Sequence, residues 1–184
     1  MPYPPWAAVV AMAATLLHAP ALPAGQLPVA AVSFSPAAEE KMQRYGEQDV
    51  AVLQSAMLVA VSRAAARAAV PPGLTVTITV RDLAPTHPTR QQEMEDPAVD
   101  VLHTRYLGGA DLVGEVRDAD QHLLATVRYR HFPQTLALGS HSIDPWGDAR
   151  LAIEEFAARL TAACSRLRPG TGAGPQAVSR SPSG

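Results

Sequence analysis

Five histidines lie beyond residue 24: His87, His103, His122, His131 and His141. A zinc site built on one element needs imidazoles spaced as H-x-H, H-x-x-x-H or H-E-x-x-H, since only then do two ring nitrogens reach one ion. None of these patterns occurs, so the sequence assigns no metal ligands and no cofactor. His87 and His103 fall in or beside a long polar stretch, 84–104, which also carries Glu93, Glu95, Asp96 and Asp100. Imidazoles and carboxylates gathered on one loop are equipment for acid–base hydrolysis or cation binding. These acids do not alternate around a glycine bend as a calcium loop requires, and their ordinary role is to solvate the loop. The sequence has no G-x-S-x-G nucleophile elbow and no phosphate-cradling glycine loop. Cys164 sits inside a helical pattern near its apolar side, the place of a small buried hydrophobe rather than an activated thiolate. No catalytic residue is assigned.

Arg117, Arg128 and Arg130 are the other candidates. Arg128 and Arg130 are two residues apart, so in a strand they share a side. Beside rows of threonine they would make a polar sheet face able to meet carboxylate or phosphate, with Asp111 and Glu115 as counter-charges. The candidate binding residues are therefore Arg117, Arg128, Arg130, His87 and His103.

The elements that must position them follow from periodicity. Leu74–Val80 (LTVTITV) puts four aliphatics on one side and three threonines on the other, a strand with one dry face. Val29–Phe34 is a shorter strand that Ser35 and Pro36 end, and 39–46 is polar and transitional. In 49–69, Val50, Leu53, Met57, Val61, Ala64 and Ala68 recur at helical spacing until Pro71, Pro72 and Gly73 stop the helix. Gly109–Arg130 forms a β-hairpin about Asp118–Gln121. Pairing Arg117 with His122 sets Ala110 opposite Tyr129, Leu112 opposite Val127, Gly114 opposite Ala125 and Val116 opposite Leu123 on the apolar side. The small Ala110 and Gly114 leave room for Tyr129 or a helix to come close. His131 falls on the side of Tyr129. A last helix starts at Asp144 as N-cap with Pro145 in its first turn, and its apolar stripe runs Trp146, Ala149, Ile153, Phe156, Leu160, Ala163, Leu167. The predicted architecture is α+β: a two-layer sandwich in β-α-β-β-β-α order, with a four-stranded mixed sheet and two helices on one face. Regular structure is expected to be poor over 84–104.

The 184 residues are 47% hydrophobic and 17% charged, with a net charge of −2. That balance supplies no basic field for nucleic acid. One cysteine excludes an intramolecular disulfide framework. Ala7–Leu17 is an apolar run too short to cross a bilayer but of the length of a signal-peptide core, followed by small residues with an A-x-A site at Ala19 and Ala21 and a second cut point at Ala24. The expected organisation is a signal peptide over 1–24, one domain over 28–167, and a disordered tail over 168–184. No cysteine follows the apolar run to carry a lipid anchor. The mature chain is expected to hold no integral membrane segment and to reside in the periplasm or outside the cell.

The stretch LGGADLVGEVRDAD, a second strand and then DPWGDARLAIEEFAARL resemble small exported proteobacterial envelope proteins of unknown function, many of them lipoproteins with a small α/β domain. The resemblance covers roughly residues 100–165. This chain departs in lacking the lipidation cysteine and in having Gln121 where glycine is commoner. The resemblance implies an accessory or binding role in the envelope and carries no catalytic residue with it. The sequence thus leans towards a non-enzymatic exported binding protein, its partner an unknown envelope protein or small ligand. The alternative is a small periplasmic hydrolase or metal-binding protein using the 84–104 loop. A homodimer through a sheet edge or the polar face is a third arrangement to test.

Overall fold

The computed structural model describes residues 27–100, 103–135 and 144–167. The expected signal peptide, the expected tail and His141 lie outside these. Strands β1 (Val29–Phe34), β2 (Thr75–Ala84), β3 (Gly109–Arg117) and β4 (Leu123–His131) form one sheet in the order β1-β2-β3-β4. β1 and β2 are parallel, and the other two pairings are antiparallel. Among the described residues four helices accompany them: α1 (Pro36–Tyr45), α2 (Glu47–Arg67), α3 (Arg90–Glu95) and α4 (Gly147–Arg166). The chain is the α+β two-layer sandwich that its periodicity predicts.

Alternation along β2 sorts the layers. Val76, Ile78 and Val80 are fully buried, while Thr75, Thr77 and Thr79 lie on the other side, half-buried. Ala110, Leu112 and Val116 of β3 extend the dry face. Against it lie Leu53, Met57, Val61 and Ala65 of α2 and Ile153, Phe156, Leu160 and Cys164 of α4, all at most 1% exposed. Gly114 is where α4 comes closest. A Cβ there would sit 2.9 Å from Phe156 Cζ and 3.0 Å from Leu160 Cδ1, inside normal contact distance. The guanidinium of Arg159 lies 4.7 Å over the ring of Tyr129 and caps the β4 side of the layer. Tyr129 and His131 stack with centroids 6.5 Å apart, on one side as expected.

Four local expectations are corrected. Residues 39–46 are not transitional: Ser35 caps α1 by accepting from the Ala38 amide, Pro36 takes the first turn, and Gly46 at φ +105° breaks α1 from α2. β2 continues past Val80 to Ala84 through a bulge between Val80 and Asp82. The β3–β4 register is displaced by two residues: Ala110 faces His131, Leu112 faces Tyr129, Gly114 faces Val127 and Val116 faces Ala125. The cause is a wider turn, with Gln121 in the left-handed region (φ 66°) and an irregularity after Val116 that sets Arg117 opposite Leu123. A shift of two keeps every side chain on its face. Finally, α4 begins at Gly147. The carboxylate of Asp144 accepts from the Trp146 amide two residues on, forming a turn ahead of the helix rather than its cap.

Candidate functional site

The segment after β2 is built into the fold. Pro85 to Thr89 are all buried, although two threonines and a histidine are among them. Their polar groups are met by the chain on either side. The Thr86 amide donates to Pro145 O (2.6 Å), Thr86 O accepts from the Tyr106 amide (2.7 Å), and Thr86 Oγ1 accepts from the Asp148 amide in the first turn of α4 (3.1 Å). Thr89 and Gln92 form a capping box that starts α3. The expectation of poor regular structure over 84–104 is thus overturned for its first half.

His87 is 3% exposed, and its Nδ1 lies 3.0 Å from Thr104 O. A carbonyl only accepts, so Nδ1 carries a proton. Nε2 is buried with no hydrogen-bond partner among the described residues. His103 has the opposite surroundings: its side chain is 83% exposed and Nδ1 sits 2.7 Å from Asp100 Oδ2. The structure therefore does not bring His87 and His103 to one site. Glu93, Glu95 and Asp96 are exposed. Glu95 accepts from Gln91, and Asp96 Oδ1 accepts from the Ala98 amide. Glu95 and Asp96 thus fasten a helix and a turn.

Beside this segment, Trp146 is buried and donates its indole N–H to Asp49 Oδ1 (2.9 Å), with its ring edge-on to Tyr45 at 5.4 Å. Burial pushes the Tyr45 hydroxyl above the ordinary tyrosine range. This polar knot ties the first turn of α2 to the start of α4. At the far end of α4, burial pushes the Cys164 thiol up to about 11, which removes it from nucleophilic duty.

The three arginines lie on the sheet face that no described element covers. Arg117 donates to Glu115 Oε2 (2.9 Å) and to Gln121 O (2.9 Å), so it serves the turn. Arg130 stands opposite Asp111 and lies 5.2 Å over the Phe132 ring. Arg128 is exposed, faces Val113 across the ladder, and has no ion-pair partner among the described residues. Its row continues through Thr79 on β2 to Ser33 on β1, short side chains that leave the guanidinium standing clear.

The hairpin tip holds a group that patterns of histidine pairs do not find. One ligand atom each from Asp118, Asp120 and His122 lies within 4.8 Å of the others, a set chemically able to hold a divalent cation. The signal was the alternation D-x-D-x-H. Asp118 is already engaged here. Its Oδ1 accepts from the amides of Asp120 and His122 (2.9 Å each), and Oδ2 lies 3.2 Å from His122 Nδ1. Those bonds from His122 hold its carboxyl below the usual carboxylate range. The cluster closes a turn.

Between α2 and α4 runs a shallow groove of about 110 Å³, floored by Ala60 and Ile153. Small-molecule sites usually span roughly 300–1,000 Å³. Comparisons of the chain with protein-family models, curated proteins and solved structures find no match.

Proposed function

We propose that this chain is a non-enzymatic, exported binding or accessory protein of the cell envelope. In this reading the open sheet face around Arg128 receives an acidic segment of a partner protein. One observation carries it: Arg128 is an exposed guanidinium with no ion-pair partner among the described residues, on a ladder row of short side chains (Val113, Thr79, Ser33), next to Arg130 two residues on. Glu115 is neutralised by Arg117 at 2.9 Å and Asp111 stands opposite Arg130, so the positive charge of Arg128 is the surplus. A planar fork donor of that kind matches a carboxylate in two bonds. Export is argued from the sequence, by the apolar run Ala7–Leu17 and the small residues after it.

The test is an NMR titration of the isotope-labelled chain with a hexaglutamate peptide. The expected result is amide shifts confined to Thr77, Thr79, Val113, Arg128 and Arg130, and absent in Arg128→Ala. Shifts elsewhere, or none in the unmodified chain, overturn the reading. Intact mass of the protein recovered from a periplasmic fraction tests export: loss of the residues before position 25 is expected. The hydrolase or metal-binding alternative needs His87 and His103 on one ion. Stoichiometric zinc or calcium in the purified protein, lost in the His87→Ala/His103→Ala double variant, would restore that alternative.

A further inference from the structure

The helix with the strongest apolar character is covered on only one side. The stretch Gln48–Arg67 is long and apolar enough, by length and composition, to cross a membrane, yet only 22% of it is buried within the chain. Leu53, Met57, Val61 and Ala65 account for its inner side, on the sheet. On its outer side Val52 and Val59 are 36% and 49% exposed, and Leu58 on the flank is 45% exposed. A helix that is apolar all round ordinarily has a partner on each side.

The outer side carries a second, regular pattern. Gln48, Val52, Ser55, Val59, Ser62 and Ala66 are spaced four, three, four, three, four, the seam of a helix that packs along another helix. All but Ala66 and Gln48 are short-stemmed β-branched or hydroxyl residues, and none is charged. The seam is complementary to itself when turned round. About a two-fold axis at residue 57, Gln48 meets Ala66 of the second copy, Val52 meets Ser62 and Ser55 meets Val59. Each layer then sets a larger side chain against a smaller one. The flanking charges agree: Asp49 falls beside Arg63 of the other copy, twice over by symmetry. Asp49 Oδ1 already accepts from the Trp146 indole, which leaves Oδ2 for the second copy; Arg63 is 56% exposed and its Nη1 lies 3.9 Å from Glu154 Oε1 of its own chain, a long surface pair that an Asp49 carboxylate must compete with or share. A parallel pairing would stack Val52 on Val52 and would put Asp49 of one copy and Arg63 of the other on opposite sides of the pair, so that they could not meet. A lipid surface is a poorer occupant, because the rim beside α2 is of mixed sign, with Glu154 standing between Arg63 and Arg150 rather than a continuous basic edge.

We propose that the outer face of α2 is the interface of a homodimer, in which two α2 helices pack antiparallel about a two-fold axis near Met57 and Asp49 pairs with Arg63 across it. The dimer is a sheet-helix-helix-sheet sandwich that leaves both open sheet faces free, so it stands apart from the proposed role of Arg128.

Sedimentation equilibrium of the full chain over a concentration series, with bismaleimide cross-linking, tests this. The expected result is a reversible dimer whose dissociation constant rises roughly 100-fold in Val59→Glu, since each copy drives one larger, charged side chain into the closed seam opposite Ser55. Circular dichroism should show Val59→Glu folded, as Val59 is exposed. Cross-linking reads the orientation. Ser55→Cys thiols would lie about 6 Å apart along the pair and Ser62→Cys thiols about 15 Å apart. A short bismaleimide is expected to join the first and not the second, with the buried Cys164 silent. A monomer at every concentration, a dimer indifferent to Val59→Glu, equal cross-linking at both positions, or co-sedimentation with phosphatidylglycerol vesicles would each overturn the proposal.

Discussion

Replacing Gly114 by alanine adds one methyl at the tightest point between the two layers. The new Cβ would stand 2.9 Å from Phe156 Cζ and 3.0 Å from Leu160 Cδ1, both in fully buried side chains. Carbon atoms rest at about 3.5–4.0 Å, so each contact is short by roughly half an ångström or more. Both side chains are fully buried, so to relieve the contact α4 must lift or the Phe156 ring and the Leu160 methyl must shift within the packed core. Overpacking of this kind costs about 1–3 kcal/mol. The substitution returns part of that, about 0.4–1 kcal/mol, by restricting the unfolded chain. The net expectation is a loss of about 1–2 kcal/mol, or a fall in Tm of roughly 2–8 °C for a domain of this size. Urea denaturation of Gly114→Ala, Phe156→Leu and the double variant checks it. Phe156→Leu alone opens a cavity and is destabilising. Combined with Gly114→Ala, the same cavity makes room for the added methyl, so the two losses should fall short of additive by about 1 kcal/mol. If Gly114→Ala is neutral or stabilising, or the losses simply add, α4 does not cross β3 at Gly114 and the layer assignment fails.

Three further outcomes follow from individual side chains. Trp146→Phe keeps the ring against Tyr45 but removes the donor to Asp49, and a loss of about 1–2 kcal/mol is expected in urea denaturation, without change in the m-value. Cys164 has a folded pKa of about 11 against 9.0 for the free thiol. Its burial therefore favours the fold fully below pH 9, and that contribution is lost as pH rises through 11. The native thiol should be inert to a disulfide reagent at about pH 8 and react as a single thiol after denaturation, and Cys164→Ala should flatten the alkaline fall in Tm. The lowered carboxyl of Asp118 works the other way: its stabilisation of the hairpin is present above pH 3.8 and lost as pH falls through its depressed value. Asp118→Asn should weaken acid sensitivity of the β3–β4 amide protection measured by hydrogen exchange.

What could be read from the chain divides along the range of the forces involved. The alternation of LTVTITV is decided within the strand, because a wrong parity would wet Val76, Ile78 and Val80 together; it was legible, and so was the room left by Gly114 for a helix. The hairpin register failed by two because face parity cannot distinguish even shifts. Only the turn can, and Gln121 entering the left-handed region is a choice a non-glycine residue rarely signals. α1 and α3 were legible in principle: Ser35 before Pro36, and Thr89 three residues ahead of Gln92, are local start signals obscured by neighbouring prolines that read as breakers. The site was the least legible part. His87 and His103 share a polar stretch, yet one is sealed by the start of α4 and the end of the same loop while the other stays in water. That separation is made by contacts of Thr86 with Pro145 and Asp148, about sixty residues away in sequence. A loop's composition states which side chains are available for chemistry; which of them meet is fixed by the elements that close over the loop. For that reason Arg128, whose strand neighbours can be counted from the register, is a firmer basis for function here than the histidines that first attract notice.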